Sequence, residues 1–374
     1  MEITINDKNI HLYSDNKFEN INKIIWEAEE LNKEVIDNFP NLIELYCVGI
    51  EITTLEALTN CVNLRELDCR LNKITTLEGL INCVNLQELY CMGNEIITLR
   101  GLNCANIRKL DCMSNKITTL EELRDCYNLQ ELNCSYNKIT TLKWLKKCIK
   151  LQKIDCTNCQ LMTMEGLHNC IDLQKIHCDD NKMMTLEGIQ KCINLRKIYC
   201  GCNQLTTLEE LKKCVNLNKL SCYNNQIKTL EGLRKCVNLR ELYCCHNQIT
   251  TLEGIRNCIN LNVLICYKNQ ITTLEGLLKC VNLQELNCNN NQITTLDGLL
   301  KCINLQILRC GNNQITTLEG IRNCVNLQNI FCISNRITTL NVLIYLKNLK
   351  YIRYNENPLE IQNVQIIRII DGIK

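Results

Sequence analysis

The sequence predicts an α/β solenoid in which every coil adds one short strand to a parallel sheet and one helical turn to the opposite side. Three observations lead to this prediction. The segment from Leu283 to Asn304 recurs along the chain with a period of 22 residues. Apolar residues occupy the same places in each copy, and one asparagine recurs with them. A fixed period of this length is typical of stacked repeats, in which neighbouring copies bury one shared core.

The apolar places within a copy predict its local structure. Counting from the first leucine as position 1, apolar positions 4 and 6 alternate with polar positions 3, 5 and 7, as in a strand with one buried face. The asparagine at position 9 is predicted to bond backbone groups of its own coil and of the next one. The run T-L-E-G-L, from position 13, favours a short helical turn that threonine caps and that glutamate at position 15 stabilises near its positive end. That glutamate can also reach a basic residue at position 18 or 19. Because other residues replace glycine at position 16 in some copies, a positive φ is not required there.

This pattern resembles the leucine-rich repeat, in particular the 22-residue class of the phosphatase-regulator subfamily and of bacterial internalins. The sequence differs from that family in having cysteine at positions 6 and 20, where leucine is usual. The resemblance implies a curved leucine-rich repeat solenoid, with the parallel sheet on the concave side, short helical turns on the convex side and a cap at each end.

The copies divide the chain into three parts. Residues 1–41 are predicted to form an N-terminal cap, residues 42–348 an array of 14 repeats, and residues 349–374 a truncated repeat with a C-terminal cap. Within the first cap we expect strands at residues 2–5 and 9–13, followed by a helix from Ser14 on which Phe18 to Leu31 follow helical spacing. Apolar residues from Val364 to Ile373 are expected to close the other end.

The 30 cysteines are predicted to be packing residues. Twenty-seven of them occupy positions 6 and 20, and only Cys159, Cys202 and Cys245 lie elsewhere. A buried free cysteine behaves as a small apolar residue. Cys156-x-x-Cys159 could be a zinc or redox pair, but Cys159 merely replaces the asparagine of position 9. A surface metal site could also involve His177, Asp155, Asp179, Asp180 and Cys202. A solvated polar patch is the simpler interpretation, and we expect no metal and no cofactor.

Composition and motifs favour a protein without catalysis. The sequence has no nucleophile elbow, phosphate loop or paired-carboxylate motif, and its net charge is +2. A stripe of lysine and arginine at positions 18 and 19 could meet nucleic acid, but the glutamates at position 15 largely offset it. The chain shows no secretory signal and no run of 18 apolar residues. We therefore expect an intracellular monomer, in the cytoplasm or, if the source is a virus, in the host cytoplasm, with neither nucleic-acid nor membrane partners.

The variable outward positions 5, 7 and 8 are the candidate binding surface. Four consecutive copies place one tyrosine there, with a histidine beside them, and Gly201 and Ser221 are expected to leave room for the rings. The candidate partner-binding residues are Tyr199, Tyr223, Tyr243, His246 and Tyr267. These residues predict a non-enzymatic scaffold that binds a protein on its concave face, although tyrosine could also be present only because it suits exposed strands. Two alternatives remain: a regulatory subunit that docks an enzyme such as a phosphatase, and a thiol-rich metal-binding protein.

Overall fold

The computed structural model describes residues 1–360 and divides the chain into two compact units, Met1–Lys182 and Met183–Lys374. We call them unit 1 and unit 2. The predicted closing element from Val364 to Ile373 lies outside the described residues. Within each unit, strands that follow one another along the chain pair in parallel. The predicted parallel sheet is therefore confirmed in both units.

Unit 1 contains nine strands. They are β1 Glu2–Ile5, β2 Lys23–Trp26, β3 Glu44–Tyr46, β4 Glu66–Asp68, β5 Glu88–Tyr90, β6 Lys109–Asp111, β7 Glu131–Asn133, β8 Lys153–Asp155 and β9 Lys175–His177. Its helical elements are α1 Lys33–Ile36 and the 3₁₀ turns Ile10–Tyr13, Glu56–Leu58, Glu78–Leu80, Glu121–Asp125 and Lys143–Lys147.

Unit 2 contains eight strands among its described residues. They are β10 Lys197–Tyr199, β11 Lys219–Ser221, β12 Glu241–Tyr243, β13 Val263–Ile265, β14 Glu285–Asn287, β15 Ile307–Arg309, β16 Asn329–Phe331 and β17 Tyr351–Arg353. Its 3₁₀ turns are Glu209–Lys213, Glu231–Leu233, Glu253–Ile255, Glu275–Leu277, Asp297–Leu299, Glu319–Ile321 and Asn341–Tyr345.

The core of the coils consists mainly of leucine, isoleucine and cysteine, with Met164 and Met183 also buried. Leu286 and Cys288, at positions 4 and 6 of one copy, are both 0 % exposed. All the cysteines except Cys104 and Cys202 are buried. The cysteine-rich core that the sequence predicts is therefore confirmed, and its thiols pack as small apolar groups.

The asparagines at position 9 join each coil to the one before it. Asn269 Nδ2 donates to the carbonyl oxygens of Cys266 in its own coil and Cys244 in the preceding coil, both at 3.0 Å. Its Oδ1 accepts from the amide of Ile249, also in the preceding coil, at 2.9 Å. The predicted ladder is confirmed, but its direction was wrong. The bonds run to the preceding coil because the strand-end carbonyl of that coil faces the asparagine amide.

Most coils carry a 3₁₀ turn after the strand, with the predicted threonine cap, whereas the segments that follow β5, β8 and β9 form none. The Glu275 amide donates to Thr273 Oγ1 at 3.3 Å. The predicted pairing along the turn is also present, because Glu231 and Arg234 form an ion pair of 2.8 Å.

Glycine at position 16 is explained by close packing between coils. A β-carbon on Gly276 would lie 2.3 Å from the carbonyl oxygen of Leu252 in the preceding coil. Where Glu122 or Glu210 replaces the glycine, the 3₁₀ turn lengthens from three residues to five. A positive φ occurs at this position in some copies, as at Gly166 with a φ of 108°, but not at Gly276, so the position does not require one, as expected.

The N-terminal residues differ most from prediction. Strand β1 is present, but residues 10–13 form a 3₁₀ turn rather than a strand. The expected helix from Ser14 is replaced by β2, which pairs with both β1 and β3. Ile24 and Trp26 are 0 % and 1 % exposed. In a strand, alternate side chains point to one face, so Ile24 and Trp26 are both buried. The backbone N–H and C=O groups of β2 form hydrogen bonds with β1 and β3. These contacts outweigh the helical spacing of the apolar residues. The boundary between cap and array after residue 41 stays a prediction.

Candidate functional site

The candidate tyrosine patch lies wholly in unit 2 and comprises Tyr199, Tyr223, Tyr243, His246 and Tyr267. Tyr199 ends β10 and Tyr243 ends β12, and the strand register aligns both with Ser221 of β11. Tyr223 and Tyr267 follow position 5 by two residues and so face the same side of the sheet. All five side chains are partly exposed.

Lys219 joins the two tyrosines at position 5. Its Nζ lies 5.8 Å from the ring centre of Tyr199 and 5.0 Å from that of Tyr243, distances at which a cation is attracted to an aromatic face. The same Nζ is 2.6 Å from Glu241, whose Oε2 accepts from the Tyr243 hydroxyl at 3.0 Å. Both rings are therefore held by charged neighbours on adjacent strands.

The charges around this lysine stabilise one another. The hydrogen bond to Glu241 is the main cause that raises the pKa of Lys219, and the same bond lowers the pKa of Glu241. Burial, followed by the bond to Glu241, raises the pKa of Tyr243. Sequence reasoning did not find Lys219 or Glu241. Both lie at position 3, and the alternation that exposes position 5 already placed them on the same face.

Tyr223 packs directly on Gly201. A β-carbon at Gly201 would lie 2.3 Å from Cε1 of the Tyr223 ring. The room that the sequence predicts at Gly201 is present, and the Tyr223 ring fills it. The glycine thereby determines where the ring lies.

His246 and Tyr267 form the other end of the patch. Their ring centres are 5.2 Å apart and nearly perpendicular, an edge-to-face contact. His246 sits at position 8 with a φ of 53°, and other copies also place residues with positive φ at this position. The hydrogen bond with Cys245 is the main cause that raises the pKa of Tyr267. Histidine in this backbone conformation is less strained than a β-branched residue would be.

Unit 1 carries a different, polar groove on its sheet. The groove has a volume of about 320 Å³ and is lined by alternating acidic and basic side chains of β6 to β9. Lys153 pairs with Glu131 at 2.6 Å. Burial raises the pKa of Asp111, whose Oδ1 accepts from the Met113 amide at 3.1 Å.

The candidate metal ligands do not converge. Asp155 and His177 are aligned on adjacent strands, and burial is the main cause that lowers the pKa of His177. Among residues 1–360, no group of three or more histidine, cysteine or carboxylate side chains is arranged to hold a metal ion. Cys159 Sγ lies 3.4 Å from the Cys134 carbonyl oxygen, the bond that an asparagine makes at this place in other copies.

Burial favours the protonated form of the cysteines at positions 6 and 20. Burial raises the pKa of the Cys302 thiol to about 12 and that of Cys266 well above its ordinary value. Metals bind the thiolate form, and burial disfavours that form.

Comparison of the sequence with models of protein families identifies the repeat. A family model described as leucine-rich repeats in two copies matches seven stretches. They are residues 40–82, 84–125, 127–168, 171–213, 215–257, 259–301 and 303–345. The chain belongs to the leucine-rich repeat family. A search of curated proteins gives no match. Among the described residues of this leucine-rich repeat protein, no helix is long and apolar enough to cross a bilayer.

Solved leucine-rich repeat structures resemble the whole chain. A leucine-rich repeat protein of Leptospira interrogans is 23 % identical with a TM-score of 0.75, covering 100 % of this chain and 99 % of its own. An internalin of Listeria monocytogenes is 24 % identical with a TM-score of 0.70, covering 86 % and 88 %. A plant peptide hormone receptor in complex with RGF2 is 21 % identical with a TM-score of 0.78, covering 91 % and 60 %. These likenesses confirm the leucine-rich repeat solenoid, and proteins of this family typically act in protein–protein interaction.

Proposed function

We propose that the protein is a non-enzymatic scaffold that binds a partner protein through the sheet face of unit 2, with the tyrosine patch at the centre of the contact. The proposal rests on the contacts that hold these rings in fixed positions. Lys219 lies between Tyr199 and Tyr243, Gly201 lies beneath Tyr223, and Tyr267 packs on His246.

Such rings suit a binding surface for two physical reasons. A tyrosine buries a large apolar area yet keeps a hydroxyl for a hydrogen bond, which is why tyrosines are enriched at interfaces. Rings that are already held in place lose little conformational freedom when a partner arrives, so more of the contact energy remains as affinity. The fixed leucine and cysteine core carries these outward residues without depending on their identity.

A regulatory subunit that docks an enzyme such as a phosphatase would use the same surface, and the identity of the partner distinguishes the two functions. We propose further that the chain acts as an intracellular, cytoplasmic monomer. The alternative of a thiol-rich metal-binding protein is disfavoured, since burial favours the protonated thiol form of the cysteines at positions 6 and 20.

The proposal is tested with the double variant Tyr223→Ala, Tyr243→Ala. A partner is first isolated with the parent protein and identified by mass spectrometry, and its affinity for each purified variant is then measured. Because one hot-spot residue contributes about 2 kcal/mol or more, and such contributions are not additive, we expect the double variant to bind at least ~30-fold more weakly. Folding should be retained, as judged by circular dichroism, because neither ring belongs to the buried core.

The matched control removes two tyrosines that lie off the sheet face. Tyr127 and Tyr345 are 49 % and 40 % exposed, and the double variant Tyr127→Ala, Tyr345→Ala should bind as the parent does. If the patch variant binds its partner as tightly as the control, the contact lies elsewhere and the proposal is wrong.

A further inference from the structure

The 3₁₀ turns of unit 2 pair their charges at only one of the two basic positions. The glutamate at position 15 binds the basic residue at position 18, as in Glu231 with Arg234 at 2.8 Å and Glu253 with Arg256 at 3.5 Å. Glu209 with Lys212 and Glu319 with Arg322 form the same pair. The glutamate row therefore forms its ion pairs with position 18, and among the described residues of unit 2 it forms none with position 19.

The lysines at position 19 of unit 2 remain exposed. Among the described residues of unit 2, none of these lysines forms an ion pair within 4 Å, unlike Lys147 of unit 1, which pairs with Asp125 at 2.7 Å. The lysines of unit 2 are Lys191, Lys213, Lys235, Lys279 and Lys301. One such cation stands on each of five coils. On the coils of Lys213 and Lys235 the neighbouring position 18 is a basic residue paired with glutamate, whereas on the other three coils position 18 is uncharged.

Two residues further along each coil, position 21 exposes an aliphatic side chain. The row is between 41 % and 50 % exposed throughout. Its members are Ile193, Val215, Val237, Ile259, Val281, Ile303 and Val325. The row is held in place by the asparagines at position 22, because Asn260 Nδ2 donates to the Val237 carbonyl at 3.2 Å and Asn282 Nδ2 to the Ile259 carbonyl at 3.0 Å.

Basic residues also border this row on its other side. Arg196 and Arg240, at position 2, are exposed. From position 19 of one copy to position 2 of the next, no aspartate or glutamate occurs in unit 2 up to Lys350. In unit 1 the equivalent segments contain Asp125 and Asp172. We call the aliphatic row with its bordering cations in unit 2 the basic flank.

We propose that the basic flank binds the surface of an anionic lipid bilayer. Unpaired cations attract acidic headgroups, and the aliphatic row between them can enter the boundary between headgroups and acyl chains. This attachment is independent of the partner surface proposed on the sheet. It departs from the expectation of no membrane contact, which rested on the lack of a membrane-spanning segment and does not bear on binding to a bilayer surface.

The chemistry of the row favours a bilayer over two other anionic partners. Single-stranded nucleic acid is bound by aromatic rings on which bases stack, and the row of seven contains only valine and isoleucine. An acidic amphipathic helix offers one apolar side chain per turn of about 5.4 Å. Coils spaced at about 4.8 Å would place the seven aliphatic side chains progressively out of step with the apolar side chains of such a helix. A fluid bilayer has no fixed repeat distance that the row would have to match.

The test uses the full-length chain and vesicle sedimentation. We expect the parent to sediment with vesicles of phosphatidylcholine and phosphatidylserine, less so at high salt, and not with vesicles of phosphatidylcholine alone. A quadruple flank variant should bind at least ~10-fold more weakly, because each lysine near an anionic surface contributes to attachment. It carries Lys213→Gln, Lys235→Gln, Lys279→Gln and Lys301→Gln.

The matched control changes the net charge by the same amount at position 18. It carries Lys212→Gln, Arg234→Gln, Arg256→Gln and Arg322→Gln, and we expect its vesicle binding to stay within ~3-fold of the parent, since these residues already pair with glutamates. A third variant, Val215→Ser with Val237→Ser and Val281→Ser, should also bind more weakly because it removes the aliphatic contact. Circular dichroism verifies that each variant is folded.

Several outcomes overturn the proposal. Equal losses in the two quadruple variants would mean that only net charge matters. Equal sedimentation with both vesicle types would remove the role of anionic headgroups. Binding to polyuridylic acid or polyglutamate without binding to the phosphatidylserine vesicles would assign the flank to nucleic acid or to an acidic protein instead.

Discussion

Replacing one asparagine of the ladder is the sharpest test of how the coils are joined. In Asn269→Ala the amide of Ile249 loses its acceptor, because it donates to Asn269 Oδ1 at 2.9 Å. The carbonyl oxygens of Cys244 and Cys266 each lose one of two donors. Each keeps the other, since Asn247 donates to Cys244 at 3.2 Å and Asn291 to Cys266 at 3.1 Å.

Because each carbonyl accepts from two asparagines, most of the expected loss of stability comes from the Ile249 amide. The two carbonyls stay satisfied, so their lost bonds cost little, whereas the buried Ile249 amide is left without a partner. Leaving a buried group unsatisfied costs about 1–3 kcal/mol. We therefore expect Asn269→Ala to lower the free energy of unfolding by about 1–3 kcal/mol.

Two measurements separate this mechanism from a general loss of stability. Urea denaturation gives the change in unfolding free energy, and hydrogen exchange reports the Ile249 amide directly. The control is Gln270→Ala, an exposed neighbour whose replacement should change stability by no more than about 0.5 kcal/mol. If Asn269→Ala unfolds at the same urea concentration as the control and the Ile249 amide exchanges no faster, the ladder does not hold the coils together.

Three further expectations follow from the described contacts. Gly276→Ala should destabilise the protein by about 1–3 kcal/mol in a thermal melt, because its methyl group would overlap the Leu252 carbonyl; an unchanged midpoint would show that the coil relaxes. Asp111→Asn should raise stability near pH 7. Burial raises the pKa of Asp111, so the folded state holds its proton above the unfolded pKa of about 3.9 and parent stability falls as pH rises through this range; a pH series of denaturation midpoints that is the same for both proteins would refute this. Thiol titration should recover nearly all 30 cysteines after denaturation without reductant, with Cys104 and Cys202 reacting first in the native state, and stoichiometric zinc or iron in protein purified without added metal would contradict the thiol assignment.

The sequence predicted local structure correctly where the same residue type recurs at the same position of successive copies. Leu286 and Cys288 occur in a pattern that allows only one buried face, so strand, core and asparagine ladder could all be predicted. Residues 1–41 lack the repeat, and there the helical spacing from Phe18 was misleading, because β2 could satisfy its backbone only through β1 and β3. Such pairing depends on contacts that are distant along the chain.

The candidate site was predictable in part for the same reason. Strand alternation placed Tyr199 and Tyr243 on one face, as the register confirms through Ser221. It did not indicate that Lys219 would lie between the rings, since rotamers of a long side chain are set by neighbours on other strands. The pairing of position 15 with position 18 was also hidden, because lysine or arginine at position 19 looked equally reachable.

The carbonyls at position 6, which accept from the asparagines of two successive coils, affect how such a protein can gain or lose whole copies. Suppose a genetic deletion removes residues 283–304, one whole copy. Asn313 then loses the Cys288 carbonyl and the Ile293 amide, but Cys266 and Ile271 now precede it and offer the same two groups, as they do for Asn291. Every junction is rebuilt from equivalent atoms. Copy number can thus rise or fall by recombination between similar repeats, and each step adds or removes one strand of the sheet without a new interface having to evolve.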